Sequence, residues 1–151
     1  MKTTAITVVT VTLMGLVFTG ASVFAGEGPG AHFIENWDLD GDGAVTAEEA
    51  RERRGNVFAS FDANEDGYLD AEEYVLFDQA RALDQAENEP QGQGRRANNP
   101  ANGMRLKIND TDGDGMVSEA EFLDNAAPWI AGIDRDGDGV VTRADFGPRG
   151  N

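Results

Sequence analysis

The chain lacks cysteine altogether and carries a single histidine, His32, in 151 residues. Without cysteine there is no disulfide, no thiolate nucleophile, no iron–sulfur cluster and no thiolate zinc site. One histidine excludes a multi-histidine metal centre. Basic residues are also scarce: 12 Lys and Arg stand against 28 Asp and Glu, a formal net charge of −16. Nucleic acid and anionic membrane both select basic surfaces, so neither is expected as a partner. Ser60 and Ser118 are the only serines after residue 25, and no base accompanies either, so no enzyme is visible. What the chain has in quantity is carboxylate.

The N-terminus is read as an address. Lys2 is followed by a mostly apolar run from Ala5 to Phe18, and Val23-Phe24-Ala25 offers small residues at positions −3 and −1 of a cleavage site. That order fits a secretory signal peptide over residues 1–25, and places the chain in the periplasm or outside the cell. The run is shorter than the ~20 residues a spanning helix prefers, so no stable membrane insertion is expected after cleavage. Removing residues 1–25 takes away Lys2 and no acid, leaving −17 on residues 26–151. Self-repulsion of that size opposes collapse unless something neutralises it.

The acids recur in a fixed frame. Four 12-residue segments, 38–49, 62–73, 110–121 and 134–145, have Asp or Asn at positions 1, 3 and 5, Gly at 6, an apolar residue at 8 and an acid at 12. The residues at 1, 3, 5 and 12 are Asp38, Asp40, Asp42, Glu49; Asp62, Asn64, Asp66, Glu73; Asp110, Asp112, Asp114, Glu121; and Asp134, Asp136, Asp138, Asp145. Starts lie 24 residues apart within each half and 72 apart between halves, an internal duplication of a paired unit. A hard divalent cation takes six to eight oxygen ligands, and a 12-residue loop wraps one if these side chains point inward and Gly makes the sharp turn. The position-7 carbonyls (Ala44, Tyr68, Met116, Val140) add one oxygen each, and position 9 (Thr46, Asp70, Ser118, Thr142) adds another directly or through water.

These residues resemble the calcium loops of the EF-hand superfamily, over roughly residues 31–83 and 104–146. The resemblance implies an all-α fold: helix–loop–helix units in two pairs, with short β-ladders between paired loops. It implies up to four bound Ca²⁺, with loop 134–145 a weak or Mg²⁺-preferring site because Asp145 is a methylene shorter than Glu. Pair one would occupy residues 26–86 and pair two 104–151. The partner is the calcium ion itself, with an unidentified protein as the alternative.

Apolar residues at −4 and −1 (Ile34/Trp37, Phe58/Phe61, Ile130/Ile133) mark entering helices, since residues three apart share a face. The third loop is poorer, with Leu106 but Asn109. Thr46…Glu49, Asp70…Glu73 and Ser118…Glu121 have capping-box spacing, so exiting helices start there. Residues 50–54 form a poor core face, with three arginines. Only 12 residues separate the loops of each half. Gly55-Asn56 and Ala127-Pro128 suggest breaks that fold each connection back, so that Val45 meets Leu69 and Val117 meets Val141. The alternative is a straight rod with loop one facing loop four. A longer helix is expected over 71 to about 86, with Tyr74, Phe77, Ala80 and Leu83 on one stripe. Residues 87–103, rich in Asn, Gln, Gly and Pro, read as a flexible linker with nothing to bury.

Overall fold

The structure, a computed structural model, describes residues 28–88 and 99–146. The expected signal segment, residues 1–25, and the middle of the expected linker lie outside the described residues. Each loop is flanked by helix on both sides. Helix α1 (Ala31–Trp37) enters loop one and α2 (Ala47–Phe61) leaves it. The same α2 enters loop two, and α3 (Ala71–Asn88) leaves. Helix α4 (Leu106–Asn109) enters loop three and α5 (Glu119–Asp124) leaves; α6 (Ala126–Ile133) enters loop four, which exits through a 3₁₀ turn, Arg143–Phe146.

Helix α2 begins where its capping box places it. Thr46 Oγ1 accepts from the Glu49 N–H, and the Glu49 carboxylate accepts from the Thr46 N–H. It then runs through Gly55-Asn56 without a break, which corrects the expected bend. Glycine only lowers helix propensity, by about 1 kcal/mol relative to Ala, and burial of Ala50, Arg54 and Phe58 along one stripe offsets that. The second connection does break, at Asn125, three residues before Pro128. Proline has no N–H for the carbonyl four residues back and its ring collides with it, so one helix cannot cross this point.

A 15-residue helix is roughly 22 Å long, which sets loops one and two at opposite ends of α2. Their ladders therefore close across the two halves. Strand β1 (Ala44–Val45) pairs antiparallel with β4 (Val141–Thr142), Val45 opposite Val141. Strand β2 (Tyr68–Leu69) pairs with β3 (Val117–Ser118), Leu69 opposite Val117. The expected partners, loop one with two and three with four, are thus corrected to one with four and two with three. Position 8 does sit at each ladder centre, and all four of its side chains are fully buried. Helix α2 packs on both α5 and α6, laying the two connections side by side.

The core between them holds Phe58, Tyr74, Phe77, Phe122, Trp129, Ile130 and Ile133. The residues read as a poor core face contribute its largest fully buried side chain, Arg54. Arg54 Nε donates to the Phe122 carbonyl at 2.5 Å, Nη1 lies 3.0 Å from Met104 Sδ, and Nη2 donates to Asn109 Oδ1. Its guanidinium lies over the Phe122 ring, 4.4 Å from the centroid. Among the described residues no carboxylate pairs with it. Burial pushes its pKa down to about 10, which still leaves the group charged at neutral pH.

Two further expectations change. On α3, Tyr74 and Phe77 are buried, but Leu83 and Ala80 face outward with Val75 and Leu76. Part of the expected linker is built into the fold: Pro100–Met104 is a 3₁₀ turn, capped by Asn99 Oδ1 on the Ala101 N–H. It docks through its backbone, which composition does not reveal. The carbonyls of Pro100, Ala101 and Gly103 accept from Trp129, Arg81 and Asn109.

Candidate metal-binding loops

All four loops hold their expected ligand positions with main-chain N–H groups. The position-1 carboxylates take two each. Asp38 accepts from Gly41 (2.7 Å) and Gly43 (2.8 Å), Asp110 from Gly113 (2.7 Å) and Gly115 (3.1 Å), and Asp134 from Gly137 (2.8 Å) and Gly139 (2.9 Å). Asp62 instead accepts from Asp66 and Gly67, because loop two has Glu65 where the others have a second glycine. Glu65 takes φ 57°, the left-handed region that glycine occupies at the equivalent positions. Position 3 accepts the position-5 N–H, and position 5 (Asp42, Asp66, Asp114, Asp138) accepts the position-7 N–H, in every loop.

Position 12 closes the ring. One Glu49 oxygen accepts from Leu39 (2.8 Å) and Asp40 (3.3 Å), and the other from the Thr46 N–H and hydroxyl, both at 2.9 Å. Glu121 repeats this with Thr111, Asp112 and Ser118, and Glu73 with Ala63 and Asp70. The shorter Asp145 reaches the same groups, Arg135 N–H and Thr142 N–H, each at 2.8 Å. Its residue lies in a 3₁₀ turn, where the other three exits are α-helical. The position-9 side chains at Thr46, Ser118 and Thr142 hold the position-12 carboxylate, and Asp70 caps the Glu72 and Glu73 N–H groups. The backbone at position 7 stands in β1 and β2 at Ala44 and Tyr68, and directly before β3 and β4 at Met116 and Val140.

The result is carboxylate crowding. Oxygens of Asp38, Asp40 and Glu49 lie within 4.8 Å of one another, as do those of Asp110, Asp112 and Glu121, and of Asp134, Asp136 and Asp145. Like charges at that separation repel by roughly 1–3 kcal/mol per pair for effective dielectrics of 80 down to 20. The N–H groups offset part of it. Burial pushes the Glu121 carboxyl upward, but the Ser118 and Thr111 donors outweigh it and hold the pKa at about 2. Glu49 is likewise lowered against a burial effect, by Thr46, Leu39 and Asp40. The Gly139 and Gly137 amides hold Asp134 below the usual range. Loop two makes no such triad among the described residues. Its position 3 is the neutral Asn64, whose Nδ2 donates to Asp66 at 3.0 Å.

A donor set of oxygens alone suits a hard cation, Ca²⁺ or Mg²⁺, and not a metal that asks for imidazole or thiolate. His32 stands apart, bonded to Asp84 of α3 at 3.0 Å. The helix–loop–helix units, with all-oxygen loops joined by two-residue ladders, have the donor chemistry that suits a hard cation. In agreement, the EF-hand family model matches residues 56–78, the end of α2, loop two and the start of α3. No curated protein matches the chain at a significant level. The family match falls on loop two and the carboxylate triads on loops one, three and four, and together they suggest calcium binding.

Sequence reasoning missed Arg54, Asn109 and the 99–104 turn. The pairing of Asn109 at −1 with a buried-stripe arginine four residues after Ala50 was the available signal.

Proposed function

We propose that this chain binds calcium through all four loops and works in the periplasm or outside the cell as a calcium buffer or calcium-stabilised protein, without catalytic activity. The observation that carries the reading is the convergence of three carboxylates in each of three loops, held there by backbone amides. Four Ca²⁺ would reduce the net charge of residues 26–151 from −17 to −9, so binding and folding are coupled. Loop four is the weakest site, or takes Mg²⁺, because Asp145, a methylene shorter than Glu, reaches the ion less easily and offers it one oxygen where a Glu offers two. The export assignment rests on the pattern of residues 1–25. No helix among the described residues is long and apolar enough to cross a membrane.

Calorimetric calcium titration with circular dichroism, before and after chelation, tests this. Four binding equivalents and a rise in melting temperature are expected. A chelated sample with unchanged melting temperature refutes it. A second reading, a module that engages a protein partner, is favoured by one feature: Val75, Leu76 and Leu83 stand exposed on α3. An apolar-surface dye that brightens on calcium addition selects that reading, and one that dims or stays constant selects the buffer.

A further inference from the structure

Arg54 offers no oxygen to a cation, yet its position relates it to all four loops. It is the eighth of the 15 residues of α2. Glu49, position 12 of loop one, lies five residues before it, and Asp62, position 1 of loop two, lies eight after it. Those offsets are roughly 8 and 12 Å along the helix axis. Its Nη2 donates to Asn109 Oδ1 and its Nε to the Phe122 carbonyl, so it holds the residues that flank loop three on both sides. Its guanidinium lies 5.4 Å from the Trp129 ring, and Trp129 stands five residues before Asp134 of loop four on α6.

Its surroundings are equally particular. A buried cation is strongly disfavoured unless something compensates its charge. Arg51 and Arg81 are paired with Asp124 and Asp78. Arg54 is fully buried, and its contacts with the Phe122 carbonyl, Asn109, Met104 and the Phe122 ring are all to neutral groups. What faces it at longer range is the negative field of the four loops, which hold 20 of the 28 acids. Charges inside the molecule are screened much less than exposed ones, so that field reaches the guanidinium. Each divalent cation taken up by a loop cancels part of the field and sets a like charge near Arg54.

We propose that Arg54 is a built-in counter-charge to the loop carboxylates, which lowers the cation affinity of all four loops and does so more steeply for ions of higher charge. The proposal rests on the reading that the loops bind calcium, and it adds a determinant of how tightly. With Arg54 inside, the metal-free chain supplies part of its own neutralisation, which an arriving cation has to replace.

The test is titration of the full chain with Ca²⁺ and with La³⁺, an ion of nearly the same size and one more charge, in chelator-buffered solution. NMR at the amides of Gly43, Gly67, Gly115 and Gly139 reads the loops one by one, since each donates to the position-1 carboxylate of its own loop. For charges about 10–12 Å apart, even the dielectric of water leaves enough repulsion that Arg54→Met should tighten calcium about threefold or more in every loop. The gain for La³⁺ should be the 3/2 power of that, about fivefold or more, because the repulsion scales with ionic charge. A purely structural role would not produce that ratio. Arg54→Gln, neutral but still an amide donor, should show the same ratio and guards against misfolding of the first variant. Arg51→Met removes the same formal charge from the exposed face of α2 and should leave both ions within about 1.5-fold. Equal factors for the two ions, tightening confined to loop three, weaker binding, or an Arg51→Met effect as large as that of Arg54→Met overturns the counter-charge. Glycine amides of the unaltered chain that ignore calcium overturn the cation reading instead.

Discussion

Gly55→Ala separates the observed fold from the bent one suggested by residue types. In the structure Gly55 lies inside α2 with helical backbone, and a Cβ there would meet only Leu123 Cδ2, at an ordinary 3.7 Å. Alanine in place of glycine in a helix interior is worth about 0.5–1 kcal/mol, chiefly because the unfolded chain loses freedom. The site is half-buried, so the new methyl adds a few tenths more. The sum, about 1 kcal/mol, corresponds to a rise of about 3–5 °C in Tm for a folded region of this size. If α2 instead ended near Gly55 with a left-handed residue, alanine would be strained there and would destabilise by about 1 kcal/mol or more. The two arrangements thus differ in sign. Urea unfolding of the metal-free chain, followed by circular dichroism, reads it directly. A lower midpoint for Gly55→Ala at unchanged slope refutes the continuous helix and the pairing of loops across halves.

Other substitutions probe single features. Glu65→Gly should stabilise the metal-free chain by about 0.5–1 kcal/mol, the left-handed penalty less the added entropy of glycine, and thermal unfolding checks it. Gly103→Ala should destabilise by about 1–3 kcal/mol, because its Cβ would overlap the buried Trp129 ring, whose Nε1 is tied to the Pro100 carbonyl at 2.8 Å. Wild-type stability there would mean that the 100–104 turn does not dock. Acid should remove Glu121's own contribution to the stability of the metal-free chain in a defined window. Glu121 sits at about 2 when folded against an ordinary 4.5, so its contribution is complete above pH 4.5 and is lost as pH falls toward 2. A carboxyl titration by NMR with a midpoint near 4.5 contradicts that. Asp145→Glu should tighten loop four for calcium, and unchanged calorimetric binding there counts against its ranking as the weakest site.

The loops were readable because their chemistry is local. The spacing of the acids, the turn glycine and the buried position 8 all act within 12 residues, so the shape of each loop is written in its own segment. The capping boxes at Thr46 and Ser118 were readable for the same reason. Partner choice was not, because it turns on whether a glycine in α2 is outweighed by burial against α5 and α6, which are 60 residues and more away. Arg54 shows the same limit: an arginine next to Arg53 reads as solvated until Phe122, Asn109 and Met104 are placed around it. The 99–104 turn was hidden because it bonds through carbonyls, which every composition supplies.

The crossed ladders make the two halves complementary pieces. Neither residues 28–88 nor residues 99–146 own both strands of any ladder, and Arg54 of the first half has its hydrogen-bonding partners only in the second. A scission anywhere in between would leave fragments that reassemble with each other instead of folding singly. Two intact chains could trade C-terminal halves and form an exchanged dimer with every bond of the monomer kept.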